Sequence, residues 1–338
     1  MSGGVDSAVS AALLVRAGHT VTGVFMRLGQ PGQEQQEGEA RAVAAHLGIG
    51  LEVVDLAAEF ARQVVAPFVE AYAWGKTPNP CVVCNRHIKF GRLLELAVPR
   101  YGDRLATGHY ARLVADGDGR GHLWRGKDPN KDQSYFLCGL GQQQLQRLLL
   151  PLGGHGKAEV REMAAAMGIR GRHGEESQDV CFLGHQSVAD FVGQRALSPP
   201  GAIVTADGRL LGRHNGLHCY TIGQRRGLGI PDATPWYVVG LDAARNTVVV
   251  GKPEALLCRL LLVDKPHWLA GRPPLLPAEF LVKLRYRHEA ASARVEAAEE
   301  GRLLVAFATP QRAVTPGQFA VFHHGDEVVG CGEIVRGW

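Results

Sequence analysis

Over its first 110 residues the chain alternates strand-like apolar runs with helical ones, and no other feature restricts the fold as much. Residues 7–17 (SAVSAALLVRA) are small and apolar, lack a breaker and stop at Gly18, which predicts a buried helix. Val21 to Leu28 reads as a strand and the Gln-, Gly- and Glu-rich stretch 29–39 as a loop. A helix near 39–47, a strand from Leu51 to Leu56, helices over 57–74 and 88–98, and a strand from Leu105 to His109 complete the pattern. Strands separated by helices run parallel, so this part is expected to be α/β with a doubly wound parallel sheet.

Past residue 195 the texture changes. Short β-branched runs such as WYVVGLDAARNTVVVGK and EFLVKLRYRHEA are punctuated by Asp-Gly, Glu-Gly and Pro-Gly turns, the pattern of antiparallel sheets and barrels. Ser198-Pro199-Pro200-Gly201 marks a boundary, and a weaker break falls within 255–280. The expected domains are an α/β domain at 1–196, a small central β-rich domain at 197–256 and a C-terminal antiparallel β-barrel at 257–338. A length of 338 residues, too large for one core, fits that division.

Composition narrows the function classes. No run approaches the roughly 18 to 20 apolar residues of a membrane span, and no basic n-region precedes an apolar stretch, so a soluble, cytoplasmic chain with no membrane partner is expected. Seven cysteines, an odd number, do not suit a secreted disulfide framework and point to reduced thiols. A formal charge of +4 does not by itself announce nucleic-acid binding, so a polyanion partner must be sought in local basic patches.

Three motifs carry chemistry. Ser2-Gly3-Gly4-Val5-Asp6-Ser7 opens directly into a helix, where backbone N–H groups and two glycines suit a phosphate. It lacks the Gly-Lys-Ser/Thr ending of a Walker loop. The plainer reading is a Gly-Gly turn with Asp6 or Ser7 as N-cap. Cys81-Val82-Val83-Cys84 is half a zinc site, completed by His87 or His109, or a redox dithiol. Its cationic neighbours in Asn85-Arg86-His87-Ile88-Lys89-Phe90 and a nearby helix start predict lowered thiol pKa values. Cys181 lies in Glu176-Ser177-Gln178-Asp179-Val180-Cys181-Phe182-Leu183 and, taken alone, reads as a packing thiol. Cys138, Cys219, Cys258 and Cys331 have no motif around them and read as packing residues.

The SGGVDS string matches the pyrophosphate loop of the PP-loop ATPases, the adenine nucleotide alpha hydrolase-like fold. Together with TPNPCVVCNRHIKF, ATGHYA, KDPNKDQSYFL, ESQDVCFL and the C-terminal AVTPGQFAVF, in this order, it resembles the bacterial tRNA 2-thiouridylases of the MnmA/TrmU family along the whole chain. The resemblance implies ATP-dependent replacement of the 2-oxygen of a wobble uridine in tRNA by sulfur, with ATP as co-substrate, Mg²⁺ beside it and no structural metal. It implies Cys84 as nucleophile and Cys181 as persulfide carrier, loaded by a cysteine desulfurase relay. Met1, Ser2, Gly3, Gly4, Val5, Asp6 and Ser7 correspond to the ATP phosphate loop, Met26 to an adenine contact and Gly108 to the nucleotide pocket. Asn79, Pro80 and Cys81 correspond to the segment facing a flipped-out base. His109, Lys131, Asp132, Gln133, Arg285, Tyr286 and Gln318 fall at tRNA-contact positions.

Unaided, Met26 reads as strand core and Lys131-Asp132-Gln133 as a solvated turn. Lys283, Arg285, Arg287 and Arg294 read as a solvated strand face, although Tyr286 among them offers a stacking surface. Arg225 and Arg226 add a basic loop. Two other functions fit parts of the sequence: a PP-loop ligase adenylating a small metabolite, which needs neither Cys84 nor Cys181, and a zinc-dependent RNA-binding module built on Cys81, Cys84 and His87. Family members also enter the loop from a short apolar strand that has no counterpart before Met1. The expectation is therefore a longer natural chain starting about ten residues upstream, because a gap in a parallel sheet would leave buried backbone groups unmatched.

Overall fold

A computed structural model describes residues 1–169, 180–196 and 198–338. Glu176 to Asp179 of the Cys181 motif, and Leu197 at the expected domain boundary, lie outside the described residues.

Helix α1 (Val5–Arg16) forms as the apolar run predicts, with Ala8, Val9 and Ala12 buried and Gly18 ending it at φ +84°. Strands β1 (Thr22–Arg27) and β2 (Gly50–Asp55) pair in parallel, joined by α2 (Gln33–His46). The helix begins at Gln33, inside the stretch expected to be a loop. Its Gln and Glu residues are good helix formers. Gln33 Oε1 accepts the N–H groups of Leu28 and Gly29, and Glu37 holds Arg27 and Arg41 at 2.8 Å each, so a polar run became an anchored helix face.

Residues 57–73 form one helical run: α3 (Ala57–Phe60), a π turn (Ala61–Val65) and α4 (Ala66–Ala73). A second run joins α5 (Pro80–Cys84) through a π segment (Asn85–Arg92) to α6 (Leu93–Tyr101). Phe60, Phe68, Ile88 and Leu93 bury their side chains together with Phe182, tying the two runs to the segment that carries Cys181.

Strand β3 (Leu105–Ala106) is shorter than expected. It is followed by a hairpin the sequence reading did not anticipate, β4 (Ala111–Ala115) and β5 (Gly121–Arg125). After α7 (Gln142–Leu145), β6 (Leu148–Leu149) pairs in parallel with β3; α8 (Lys157–Ala166) and α9 (Val188–Gly193) complete this part. Among the described residues the parallel strands of this part form two separate two-stranded ladders, β1–β2 and β3–β6, rather than one continuous hydrogen-bonded sheet. The Met1 amino group donates to the Val24 carbonyl of β1.

Strands β7 (Gly201–Thr205), β8 (Leu210–His214), β9 (Tyr237–Asp242) and β10 (Thr247–Gly251) form a four-stranded sheet in the order β8-β7-β10-β9 over Ile203, Val238, Val248 and Val250. The last six strands are β11 (Leu257–Trp268), β12 (Ala278–Lys283), β13 (Ala291–Ala297), β14 (Leu303–Arg312), β15 (Phe319–His324) and β16 (Glu327–Gly337). They run antiparallel in the order β11-β14-β13-β12-β15-β16, and β11 also pairs with β16, so the sheet closes into a barrel. Closure removes the open edges that invite aggregation. The β4–β5 hairpin adds to the barrel through β5, Leu123 opposite Val328, and stitches it to the α/β part. Among the described residues no helix is long and apolar enough to cross a membrane.

Candidate active site

Of the Met1–Ser7 segment, Met1, Ser2, Asp6 and Ser7 line a cavity while Gly3, Gly4 and Val5 do not, and the plainer capping reading does not hold. Gly4, not Asp6 or Ser7, is the N-cap of α1, and no side chain caps the helix, so its first N–H groups stay available to an anion. Ser7 Oγ instead donates to the Gly4 carbonyl at 2.9 Å and lies 3.2 Å from the Ser2 N–H. Gly3 sits at φ +76°, and a Cβ there would come within 2.9 Å of Glu39 Cβ, so the turn is pressed against α2. Gly108 packs equally tightly: a Cβ would meet the Asp6 carbonyl carbon at 2.8 Å and the Ser7 nitrogen at 3.0 Å. Only glycine lets the 106–109 turn rest on the loop backbone.

Two partners of the loop escaped the sequence reading. Lys157 at the start of α8 places its Nζ 2.7 and 2.8 Å from the two Asp6 carboxylate oxygens, and the Tyr110 hydroxyl donates to the same carboxylate at 2.8 Å. Lys157 is 151 residues from Asp6, and nothing local in the sequence signals the pairing. Met1, Ser2, Asp6 and Ser7 share a cavity of about 370 Å³ with Met26, Lys89, Gly108 and His109. Met26 also packs on the core around Leu56 and Phe60, so its core and cavity readings both apply. Val5 is buried under the loop.

Asn79 is the N-cap of α5, its Oδ1 accepting the Val82 N–H at 3.3 Å, and Pro80 takes the first helical position. Cys81 and Cys84 therefore lie on the first turn of a long helical run. All seven thiols are free. Cys84, Cys81 and Cys181 are close enough to perturb one another electrostatically, and Lys89 acts on all three. Gln30 Nε2 donates to Cys181 Sγ at 2.9 Å; Cys181 is exposed, Cys81 and Cys84 half-buried.

The expected lowering of the thiol pKa values is corrected. Desolvation pushes Cys84 up to about 12 and Cys81 up to about 11, and it raises Cys181 as well. Lys89 pulls each of them down, but at the half-buried Cys81 and Cys84 the loss of water around the sulfurs outweighs one cation. Lys89 follows Cys84 by five residues within the π segment, a widened turn of the kind often found at functional sites. The sequence showed it only as one cation among several.

The candidate RNA-contact residues fall in two groups. His109 lines the cavity, its Nδ1 lies 2.8 Å from Thr107 Oγ1, and desolvation holds its pKa well below the usual histidine value, so the ring is neutral. Asp132 is buried, accepting the N–H groups of Gly126 and Ser134 at 3.0 Å each, which rules out a solvated turn there. Gln133 accepts the Tyr110 N–H at 3.0 Å, and Lys131 is half-buried beside it. Gln318 Nε2 donates to the Thr77 carbonyl at 2.8 Å and Pro316 accepts the Thr77 N–H at 2.9 Å, so the barrel grips the approach to the cysteines. Arg285 is exposed, and Tyr286 stacks on Phe136 with ring centres 4.6 Å apart. Cys138 and Cys331 are buried, as packing residues would be, while Cys219 and Cys258 are half-buried. Among the described residues no three His, Cys, Asp or Glu side chains gather as a metal site would require, so Cys81, Cys84 and His87 do not form one.

Three family profiles match consecutive stretches of the chain. They are described as the tRNA methyl transferase HUP domain over residues 1–185, the tRNA methyl transferase PRC-barrel domain over 189–252 and the aminomethyltransferase beta-barrel domain over 258–334. A tRNA-specific 2-thiouridylase MnmA from Chloroflexus aurantiacus is 47% identical over 350 residues, covering 99% of this chain and 97% of the relative. A protein of the same name from Magnetococcus marinus is 45% identical over 348 residues with the same coverage. At that identity over nearly the full length of both partners, with three family domains matched in order along the chain, the chain belongs to the tRNA-specific 2-thiouridylase (MnmA) family.

Proposed function

We propose that this chain is an ATP-dependent tRNA-uridine 2-sulfurtransferase that thiolates the wobble uridine. The observation that carries the reading is a single cavity wall that joins the phosphate loop to Lys89, the cation acting on Cys84 and Cys181. A metabolite ligase has no use for that link.

A uridine 2-oxygen is a poor leaving group, and the first step converts it into one. ATP phosphates rest on the free N–H groups of α1, and Gly108 lets the 106–109 turn pack directly against the backbone of that loop. The uridine oxygen attacks the α-phosphorus and pyrophosphate leaves. Mg²⁺ accompanies ATP and offsets the triphosphate charge. The terminal sulfur of a Cys181 persulfide then attacks C2, and AMP departs with the oxygen. Cys84 gives up its thiol proton and attacks Cys181 Sγ, the bond between Sγ and the sulfur carried by C2 breaks, and its electrons form the thiocarbonyl. A Cys84–Cys181 disulfide remains, and an external thiol reductant supplies two electrons and two protons to reopen it. Asn79 and Pro80 fix the helix start at which Cys81 faces the extruded base.

The persulfide comes from a cysteine desulfurase relay, and the setting is the cytoplasm, where tRNA is modified. The three functional units are 1–196, 197–256 and 257–338. Labelled ATP tests the reading against the ligase: AMP and pyrophosphate release should depend on added tRNA. Release indifferent to tRNA would transfer the protein to the metabolite ligases.

A further inference from the structure

Three parts of the chain meet beside Thr77. Thr221 Oγ1 from the loop before β9 lies 3.5 Å from Thr77 Oγ1, while Pro316 and Gln318 of the barrel hold the Thr77 backbone. Gly223 lies so close to the barrel that a Cβ would be 3.1 Å from Ala313 Cβ. At this seam Arg312 lies over the Tyr237 ring, 5.0 Å from its centre, and Arg225 and Arg312 are both close enough to act electrostatically on the Tyr237 hydroxyl. Arg285 Nη1 is 3.4 Å from the Ala313 carbonyl, beside them.

Arg225, Arg285 and Arg312 are exposed, and among the described residues none pairs with a carboxylate. Other cations of the middle sheet and the barrel are ion-paired, Lys252 with Asp232 at 2.9 Å and Arg294 with Glu296 at 3.9 Å. Two guanidinium groups gathered on one neutral phenol repel each other, and an anion entering between them removes that cost. A phosphodiester suits the place, because its two non-bridging oxygens match guanidinium forks and the phenol proton can be donated to one of them.

We propose that Arg225, Arg312 and Tyr237, with Arg285 at their edge, bind one backbone phosphodiester of the RNA. Resting on the tRNA reading above, this site clamps the strand next to Asn79, Pro80 and Cys81. Its residues come from the middle sheet and from the barrel, and both of those parts touch Thr77. Binding the phosphate therefore also fixes the approach to the cysteines.

The test is tRNA binding by the full chain across a range of salt concentrations, comparing the unmodified protein with Arg225→Gln/Arg312→Gln, Arg225→Lys/Arg312→Lys and Arg245→Gln. The Gln double variant should bind more weakly, and its slope of log affinity against log salt should shrink by about 0.7 to 0.9, one phosphate contact. The Lys double variant keeps the charge and should keep most of the slope. Arg245→Gln, on an exposed pair with Asp242 at 3.8 Å, should change neither quantity, and ATP affinity should be equal in all four proteins. An unchanged slope in a Gln double variant that retains the unmodified melting profile overturns this site alone. Failure of the unmodified protein to bind tRNA overturns the tRNA reading and this site with it.

Discussion

Replacing Gly108 by alanine perturbs the proposed ATP site through backbone alone. The added Cβ would stand 2.8 Å from the Asp6 carbonyl carbon, 2.9 Å from its oxygen and 3.0 Å from the Ser7 nitrogen. Carbon atoms rest at roughly 3.5 to 4.0 Å, so the loop must retreat by about 1 Å. The three nearest atoms are all main chain, so no flexible side-chain end can give way in their place. Overpacking of this kind costs about 1 to 3 kcal/mol of stability. Moving phosphate-binding N–H groups by about 1 Å costs about 100-fold in rate, or about 2.7 kcal/mol of transition-state stabilisation. Urea unfolding gives the first quantity, and tRNA-dependent AMP release at limiting ATP gives the second. Gly154→Ala is the control: no atom lies within 4 Å of its added Cβ, and both quantities should stay near those of the unmodified protein. If Gly108→Ala matches that control in both assays, the close approach of Gly108 does not hold the phosphate loop in place.

Other outcomes follow from the thiols and from one buried histidine. Cys84→Ser and Cys181→Ser should each abolish thiolation while Cys81→Ser keeps substantial activity, as read by mass analysis of tRNA nucleosides; an inactive Cys81→Ser protein overturns that division of roles. With the Cys84 thiol near 12, alkylation followed by peptide mass mapping should accelerate about tenfold per pH unit from neutral pH to pH 10, and Lys89→Gln should slow it by removing the cation that lowers the pKa. A plateau below pH 9 would contradict the desolvated environment. The same raised pKa makes the folded state hold its proton longer, so the stability tied to Cys84 is complete below pH 9 and lost as pH rises toward 12. His323 is buried, neither ring nitrogen has a hydrogen-bond partner, and desolvation beside Arg125 and Lys283 lowers its pKa to about 3. The unfolded chain takes up that proton first, so stability should fall as pH drops from 6.5 toward 3. His323→Phe should flatten this acid limb in pH-dependent unfolding without destabilising the protein at neutral pH.

Much of the site was legible because its signals are local. Two glycines before an apolar helix, a proline-stiffened approach to a pair of cysteines, and β-branched runs between Gly turns each report on their own neighbourhood. What stayed hidden depends on distant partners. Lys157 becomes a loop residue only when α8 packs beside α1, and the β4–β5 hairpin gains its meaning by pairing with β16. The helix at Gln33–His46 was obscured by a polar composition that proved to be ion-paired. The thiol pKa values reversed because cationic neighbours are visible in sequence while exclusion of water is not. The Arg225–Tyr237–Arg312 cluster joins residues far apart in sequence, and only the folded seam brings them together.

The central claim is that one chain couples ATP cleavage to sulfur transfer onto tRNA. Mass analysis of nucleosides from tRNA incubated with the protein, ATP, Mg²⁺ and a persulfide source tests it directly. The account predicts 2-thiouridine, formed with AMP and pyrophosphate and lost in Cys84→Ser. ATP consumption with no 2-thiouridine in the recovered tRNA would contradict it.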